Sequence, residues 1–233
     1  MKNGLTKSVS QITEYTINVK KDSLDQERQD TLMVRERKYN NNGQIIHLTQ
    51  KTLFDEGKME IDYIYNEFDK IEKEVVKLYS DSLPLIVDYF YKDTLLYQSK
   101  SLVKNPSEKF EQIDTYYYRK NNTKEKVIST QIFIDLKLMD TFSNYSETTY
   151  FNNDEMPIKA ETLYKSDSKR NRKKIYKYSC ETLIEINEYT ENDSLISTLK
   201  YHYDRDKYDN WTSTKIYENS ELKTILKREI NYK

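Results

Sequence analysis

The sequence predicts an all-β protein, a repetitive antiparallel meander of about sixteen strands. Three observations lead to this prediction. A Tyr-x-Tyr doublet recurs with a period near 26 residues, the residues around it alternate between apolar and polar, and runs of Asn, Asp, Gly and Ser separate the alternating stretches. A fixed period in this range is typical of a repeat array. Alternation with a period of two is typical of a strand with one packed face.

The doublet has five full copies, and in three weaker copies another residue replaces the first ring. The second residues of the eight copies are Tyr39, Tyr65, Tyr91, Tyr118, Tyr150, Tyr178, Tyr203 and Tyr232. Successive members are 25 to 32 residues apart, which accommodates two strands and two turns. One repeat is therefore expected to be a β-hairpin with its connection. Equivalent tyrosines are expected in rows on one face, where cross-strand aromatic pairs stabilise a sheet by about 0.2–1 kcal/mol each.

The alternating stretches define the strands, and short turns between them predict antiparallel pairing of sequence neighbours. Strands are expected at 13–20, 31–39, 44–54, 58–66, 70–80, 84–92, 94–103, 109–119, 124–136, 144–151, 157–164, 172–178, 182–190, 194–203, 210–217 and 221–231. Neighbouring strands twist by about 20–25° relative to each other. A sheet of this length is therefore expected to coil or roll around its tyrosine face.

The predicted organisation is an N-terminal arm at 1–12 followed by a single β-repeat domain at 13–233. The repeat is irregular in the central units, 104–177, where Pro106 interrupts the pattern and 133–146 contains an additional apolar stretch. Departures from a repeat often fall on loops that bind partners. They also arise simply because surface insertions cost little stability.

Composition argues against several classes of function. The net charge is −1, so bulk charge gives no reason to expect nucleic acid. No stretch approaches the roughly 18 apolar residues of a membrane helix. A membrane barrel is also disfavoured, because residues such as Lys73 and Lys77 place charge on the non-tyrosine face. With one cysteine, Cys180, and two histidines, His47 and His202, the sequence predicts no metal site and no cofactor.

The sequence also predicts that the protein is not an enzyme. Glu72 and Glu74 share a strand face, as a carboxylate pair of a glycosidase would. With 39 acidic residues in the chain, such pairs are expected without any catalytic meaning. No activated nucleophile with a nearby base is evident.

A basic run near residue 170 is the candidate partner-binding site. Its members are Lys169, Arg170, Arg172, Lys173 and Lys174, preceded by Lys165. Such a run binds an acidic protein surface or a phosphate in some proteins. In others it is a solvated hairpin tip, and the sequence leaves both interpretations open.

One unit carries a recognisable motif. Tyr201-His202-Tyr203-Asp204 is followed by Tyr208-Asp209-Asn210-Trp211-Thr212. This resembles the unit of the YD-repeat, Rhs-like proteins, which reads Tyr-x-Tyr-Asp, two residues, then Gly-Asn. The spacing here is two residues longer, and Asp209 stands where Gly is expected. The segment from Tyr39 to Gly43-Gln44-Ile45 fits the spacing but lacks the Asp.

As a whole, the chain looks most like short, degenerate YD-repeat proteins of Bacteroidetes, which are often envelope lipoproteins. That resemblance implies a periplasmic or outer-membrane lipoprotein whose lipid anchor precedes Met1, whereas a native start at Met1 implies the cytoplasm. It also implies a non-enzymatic β-repeat protein that binds another protein, as an immunity protein binds a bacterial toxin. The alternative is a structural or glycan-contacting module of the cell envelope.

Overall fold

The computed structural model describes residues 9–21, 26–53, 57–78, 84–104, 108–138, 140–165 and 167–232. Within these ranges the chain forms sixteen strands, which confirms the predicted antiparallel meander. The strands are β1 (Val9–Lys21), β2 (Glu27–Tyr39), β3 (Ile45–Thr52), β4 (Lys58–Tyr65), β5 (Ile71–Leu78), β6 (Leu85–Lys92), β7 (Leu95–Lys104), β8 (Glu108–Tyr118), β9 (Lys124–Asp135), β10 (Asp140–Phe151), β11 (Pro157–Tyr164), β12 (Arg172–Ser179), β13 (Thr182–Thr190), β14 (Leu195–Arg205), β15 (Trp211–Glu218) and β16 (Glu221–Tyr232).

The strand order closes on itself, so the prediction of a coiled or rolled sheet is wrong. Strand β1 pairs antiparallel with β2 and also with β16, where Ile12 lies opposite Ile230 and Glu14 opposite Arg228. The hydrogen-bonded order is that of a closed barrel. Closure satisfies the backbone groups that two free edge strands would expose.

Two features bear on the predicted domain organisation. Strand β1 begins at Val9, so 9–12 of the predicted arm belong to the sheet, while 1–8 lie outside the described residues. Contacts divide the chain into two compact units. Unit 1 contains Met1–Ile64, Val75–Ser82 and Leu199–Lys233, and unit 2 contains Tyr65–Glu74 and Leu83–Thr198.

A five-residue turn recurs between strands. In the first copy, the Asn40 side-chain oxygen accepts from the backbone N–H groups of Asn42 and Gln44, and Gly43 has a φ of 77°. Other copies place Asp69, Asn122, Glu155, Asp193 or Asp209 at the equivalent positive φ. The first residue of three of those copies, Asn66, Asn152 or Asp206, accepts in the same way. The predicted Asn- and Asp-rich turns thus have a local cause. The connections at 54–56 and 79–83 lie outside the described residues.

A β-bulge beside four of these hairpin turns decides which residues are equivalent. Tyr39 follows a register shift and lies opposite Ile45, and Phe151 follows the same shift opposite Pro157. Arg205 follows it as well, opposite Trp211. Phe151 and Arg205, rather than the predicted Tyr150 and Tyr203, therefore occupy the repeat position of Tyr39. With this correction Phe151, Tyr178, Arg205 and Tyr232 are 27 residues apart at each step.

The hydrophobic clusters of the described residues are small. One contains Val9, Ile12 and Tyr39, with Ile230 and Tyr232 packed against it. Another contains Ile17, Val19 and Ile225, with Tyr15 and Leu222 beside it. Both belong to unit 1, and both include residues of β1 and β16. Apolar packing therefore supports the pairing that closes the barrel.

The two faces of the sheet differ in enclosure. We call the side that carries the Tyr-x-Tyr doublets the tyrosine face. Burial is the leading cause that raises the pKa of Tyr201 and Tyr203 there. On the opposite face, the hydrogen bond from the His47 ring is the first cause that lowers the pKa of Asp62. The tyrosine face is therefore desolvated around Tyr201 and Tyr203.

Candidate functional site

The predicted basic residues lie at the β11–β12 connection of unit 2. Ser168–Arg170 form a single 3-10 turn, and the Asp167 side chain accepts from the Lys169 backbone N–H. Lys169 and Arg170 are exposed, and the Arg170 guanidinium lies 4.2 Å from the centre of the Tyr164 ring. Part of this run is therefore a solvated hairpin end.

Strand β12 separates the other three members. The Arg172 guanidinium donates to the Lys169 carbonyl at 2.8 Å. Lys173 forms an ion pair with Asp193 and lies over the Tyr189 ring. Because side chains alternate along a strand, Lys174 and Arg172 share the tyrosine face with Tyr176, whereas Lys173 is on the opposite face. Partner binding by this run remains a prediction.

A different charged cluster, which the sequence did not single out, lies on the tyrosine face of unit 1. We call Glu14, Arg35, Arg37 and Arg228 the arginine cluster. Glu14 in β1 has Arg35 of β2 directly opposite on one side and Arg228 of β16 on the other. The Arg228 Nε donates to a Glu14 carboxylate oxygen at 3.0 Å. Arg35 and Arg37 place guanidinium nitrogens 3.6 and 3.5 Å from the same carboxylate.

The arginine cluster carries an excess of positive charge in a desolvated setting. The Glu14 side chain is 8% exposed, and those of Arg228, Arg37 and Arg35 are 15%, 19% and 28% exposed. Burial lowers the pKa of Arg35 and Arg228, and the nearby Arg37 lowers both further. Arginine stays protonated in proteins, so the cluster holds three positive charges against one negative charge.

Aromatic rings border the arginine cluster. The Arg228 guanidinium carbon lies 3.3 Å from the centre of the Trp211 ring. Tyr203 meets Trp211 edge to face, with ring centres 6.4 Å apart. Trp211 is the one tryptophan of the chain, so its fluorescence reports on this place alone.

In unit 2, the tyrosine face carries a row of hydroxyl and carboxylate groups across four strands. The Tyr89 hydroxyl donates to Glu74 at 2.7 Å. Tyr89 lies opposite Ser99, and the Ser99 hydroxyl donates to Asp114 at 3.1 Å. The Tyr116 hydroxyl is 3.5 Å from the same serine oxygen. We call Glu74, Tyr89, Ser99, Asp114 and Tyr116 the polar row.

The polar row corrects the expectation of stacked tyrosine ladders. One repeat covers two strands, so Tyr89 and Tyr116 are separated by β7, which contributes Ser99 between them. Equivalent rings are thus about two strand spacings, roughly 9.5 Å, apart. Serine and carboxylate groups fill the interval and bond to the phenol hydroxyls.

The same face continues with further polar groups. Gln131 donates to Gln112 at 3.1 Å, and Thr162 donates to Glu147 at 3.0 Å. A cavity of about 400 Å³ lies at the turn end of this face, lined in part by Tyr91, Tyr116, Tyr118, Asn122 and Glu155. The Tyr91 and Tyr118 hydroxyls donate to the carbonyls of Ile71 and Leu96, which fixes both rings at its wall.

Replacing Glu74 by glutamine is expected to raise the melting temperature near pH 7 and to leave it unchanged near pH 4. Burial raises the pKa of Glu74, and the bond from Tyr89 opposes that shift without cancelling it. A carboxyl whose pKa is higher in the folded than in the unfolded protein makes the wild type lose stability as pH rises through that window. Glutamine copies the protonated carboxyl and still accepts the bond from Tyr89.

Thermal denaturation followed by circular dichroism between pH 4 and 7 checks this expectation, with Glu72→Gln, an exposed position on the same strand, as the control. A melting temperature at pH 7 below that of the wild type would contradict it.

The opposite face carries ion pairs and scattered apolar side chains. Lys77 bonds Asp62 at 3.2 Å in unit 1, and Lys177 bonds Glu185 at 2.6 Å in unit 2. Between such pairs lie exposed residues such as Ile64, which is 43% exposed. The described strands thus carry charge on this face, as the sequence predicted, and exposed apolar side chains lie between the charges.

Closed hairpin order, antiparallel pairing and alternating faces define the class of the fold as an up-and-down β-barrel. No helix in the described part of the chain is long and apolar enough to span a membrane.

The fold is similar to two solved structures of porin-like proteins. The protein from Bacteroides uniformis ATCC 8492 aligns over 96% of this chain and 98% of its own, with a TM-score of 0.60 and 11% identity. The protein from Bacteroides vulgatus ATCC 8482 aligns over 97% and 99%, with a TM-score of 0.56 and 11% identity. No protein-family model and no curated protein matches the chain. The likeness establishes the barrel fold, and the YD-repeat resemblance remains a prediction.

Proposed function

We propose that the protein is a non-enzymatic barrel of the cell envelope that binds a hydroxyl-rich ligand, such as a glycan, on the tyrosine face of unit 2. The polar row carries this proposal. It places phenol rings and two carboxylates on one face around the buried Ser99 hydroxyl, and the cavity beside it has Tyr116 in common with the row.

The chemistry of the polar row suits sugars. Carboxylate and amide oxygens accept hydrogen bonds from ligand hydroxyls, and phenol groups both donate and accept. An aromatic ring presents an apolar surface to the C–H face of a sugar while its hydroxyl remains hydrogen-bonded. Small-ligand sites typically combine such rings with a few placed polar groups.

Two observations support an envelope barrel that does not cross the bilayer. The solved structures with this fold are described as porin-like, which favours the envelope. Lipid-facing strands need a continuous apolar band about 25 Å tall. The pairs Lys77–Asp62 and Lys177–Glu185 instead place charge on the face that lipid would contact.

The non-enzymatic part of the proposal rests on the partners of the carboxylates. Glu74 and Asp114 are bonded to Tyr89 and Ser99, and neither hydroxyl is paired with a histidine base. His47 belongs to unit 1, where it bonds Asp62 and Thr49 on the face opposite the tyrosines. The polar row thus holds hydrogen-bonding groups without an activated nucleophile.

Replacing Tyr116 by alanine is expected to weaken glycan binding about tenfold, because it removes one ring contact and one hydroxyl. Tyr117→Ala is the matched control, since the next residue of β8 lies on the opposite face and is 40% exposed. Wild-type protein is screened on an array of neutral and acidic oligosaccharides, and the best binder is titrated by calorimetry into all three proteins. Absence of binding by the wild type, or an equal loss in both variants, would reject the proposal.

A toxin-neutralising immunity protein is the second candidate, and an exposed aromatic patch favours it. Phe90, Tyr97 and Tyr117 of unit 2 are 38%, 42% and 40% exposed, and the first two rings are 6.4 Å apart. Aromatic residues are enriched where proteins bind one another. Co-purification with the product of the neighbouring gene and protection from its toxicity test this role. For this role the expected effects of the two variants are the reverse of those for glycan binding. Tyr117→Ala would abolish protection, and Tyr116→Ala would retain it.

A further inference from the structure

The arginine cluster of unit 1 has a charge imbalance that its own residues do not correct. Glu14 of β1 supplies a single carboxylate. The guanidinium groups of Arg228 on β16 and of Arg35 and Arg37 on β2 surround it. Three positive charges and one negative charge leave an excess of two on an enclosed face. Like charges in a partly desolvated setting are costly unless an anion joins them.

The guanidinium groups differ in how fully they are used. Arg228 bonds Glu14 and lies against Trp211, and Arg35 donates twice to the Gln50 side chain, at 3.0 and 2.6 Å. Among the contacts of the described residues, Arg37 comes within 3.5 Å of a Glu14 carboxylate oxygen, and it remains 19% exposed. A guanidinium has five N–H donors, so Arg37 retains donor capacity beyond this contact.

We propose that the arginine cluster is a binding site for a dianionic oxyanion of the phosphate class. A dianion matches the excess of two charges, and planar guanidinium groups bind phosphate oxygens through paired hydrogen bonds. Arg37 supplies the main contact with the anion. Arg35 and Arg228 add positive electrostatic potential, and Glu14 holds the three guanidinium groups in place. This site shares no residue with the polar row, and the proposal does not depend on the proposed glycan binding.

A purely structural role for the cluster predicts a different result. If Glu14 alone satisfies the three arginines, added phosphate has no saturable effect and the removal of Arg37 relieves repulsion. If the cluster is a binding site, phosphate saturates it and Arg37 is required. Phosphate also stabilises proteins generally by exclusion from their surfaces, but that effect is not saturable and does not distinguish the variants.

Trp211 fluorescence provides the titration signal, since Arg228 stacks on this ring. Potassium phosphate is titrated near neutral pH, with potassium chloride holding the ionic strength constant, into wild type, Arg37→Gln and Lys38→Gln. Lys38 is the matched control because it is the next residue of β2 and is exposed on the opposite face. We expect saturable binding by wild type and Lys38→Gln, and affinity at least about tenfold weaker in Arg37→Gln.

A parallel thermal measurement adds a second readout. Phosphate at roughly ten times its dissociation constant is expected to raise the melting temperature of wild type by about 3–6 °C, and that of Arg37→Gln much less. No saturable fluorescence change, or the same titration curve in Arg37→Gln, would overturn the proposal. An affinity for acetate equal to that for phosphate would also overturn it, because the site would then not distinguish a phosphate dianion from a monoanionic carboxylate.

Discussion

Replacing Glu14 by alanine is expected to lower the free energy of unfolding by about 3 kcal/mol in phosphate-free buffer. Removing one partner of a buried ion pair typically costs about 3–5 kcal/mol, because the remaining charge is left buried and unpaired. Here three guanidinium groups lose the same carboxylate. The lower end of the range applies, since Arg35 keeps 28% of its side chain exposed and water partly solvates it.

Urea denaturation measures this loss as a lower midpoint with an unchanged slope. Glu221→Ala is the control, because the pair that Glu221 forms with Lys223 is well exposed and its removal is expected to leave the midpoint unchanged. A Glu14→Ala midpoint equal to that of the wild type would show that the guanidinium groups are solvated without the carboxylate. The substitution is also expected to weaken the pairing of β1 with both of its neighbours, because Glu14 lies between Arg35 of β2 and Arg228 of β16.

Replacing Ile12 by alanine is expected to cost about 2–5 kcal/mol, the usual range for a large apolar residue truncated in a packed core. Ile12 is 2% exposed and lies opposite Ile230, in the cluster with Val9 and Tyr39. The cavity would open at the seam between β1 and β16. The surrounding side chains would fill that space only in part.

The matched control is Ile64→Ala, which removes the same atoms from a residue that is 43% exposed. Its effect is expected to stay within about 1 kcal/mol. Hydrogen exchange of the β1 and β16 backbone amides adds a local measurement, since Ile12→Ala should reduce their protection first. Equal losses of stability in the two variants would argue that the seam is held by backbone hydrogen bonds alone.

The secondary structure was predictable because it is a local property. Strand β11, Pro157–Tyr164, has the predicted bounds, and β13 also begins and ends where expected. The side chains of Asn40 and Asp206 form the turns by accepting bonds from backbone N–H groups two residues further on. Because these partners are close in sequence, the turns could be predicted from the sequence alone. The repeat register was harder, since a bulge adds one residue to one strand and so shifts the alternation of side chains beyond it.

The charged cluster was not predictable in the same way. Arg37 stands two residues before Tyr39, where other units carry tyrosine, and this substitution was the available signal. Its meaning depended on Glu14 and Arg228, which are 214 residues apart and meet only across the closing strand pair. The basic run at Lys169 to Lys174, in contrast, was conspicuous in sequence yet is divided between two faces by the alternation of β12.

The sequence by itself determined the sixteen strands, their antiparallel order and the polar turns, because alternation and turn chemistry act over a few neighbouring residues. Tertiary structure alone decided that the meander closes, since closure depends on one pairing between the first and last strands. That pairing brings Ile12 to Ile230 and Glu14 to Arg228. Both the apolar seam and the arginine cluster arise from it, and no local pattern in either strand specifies its partner.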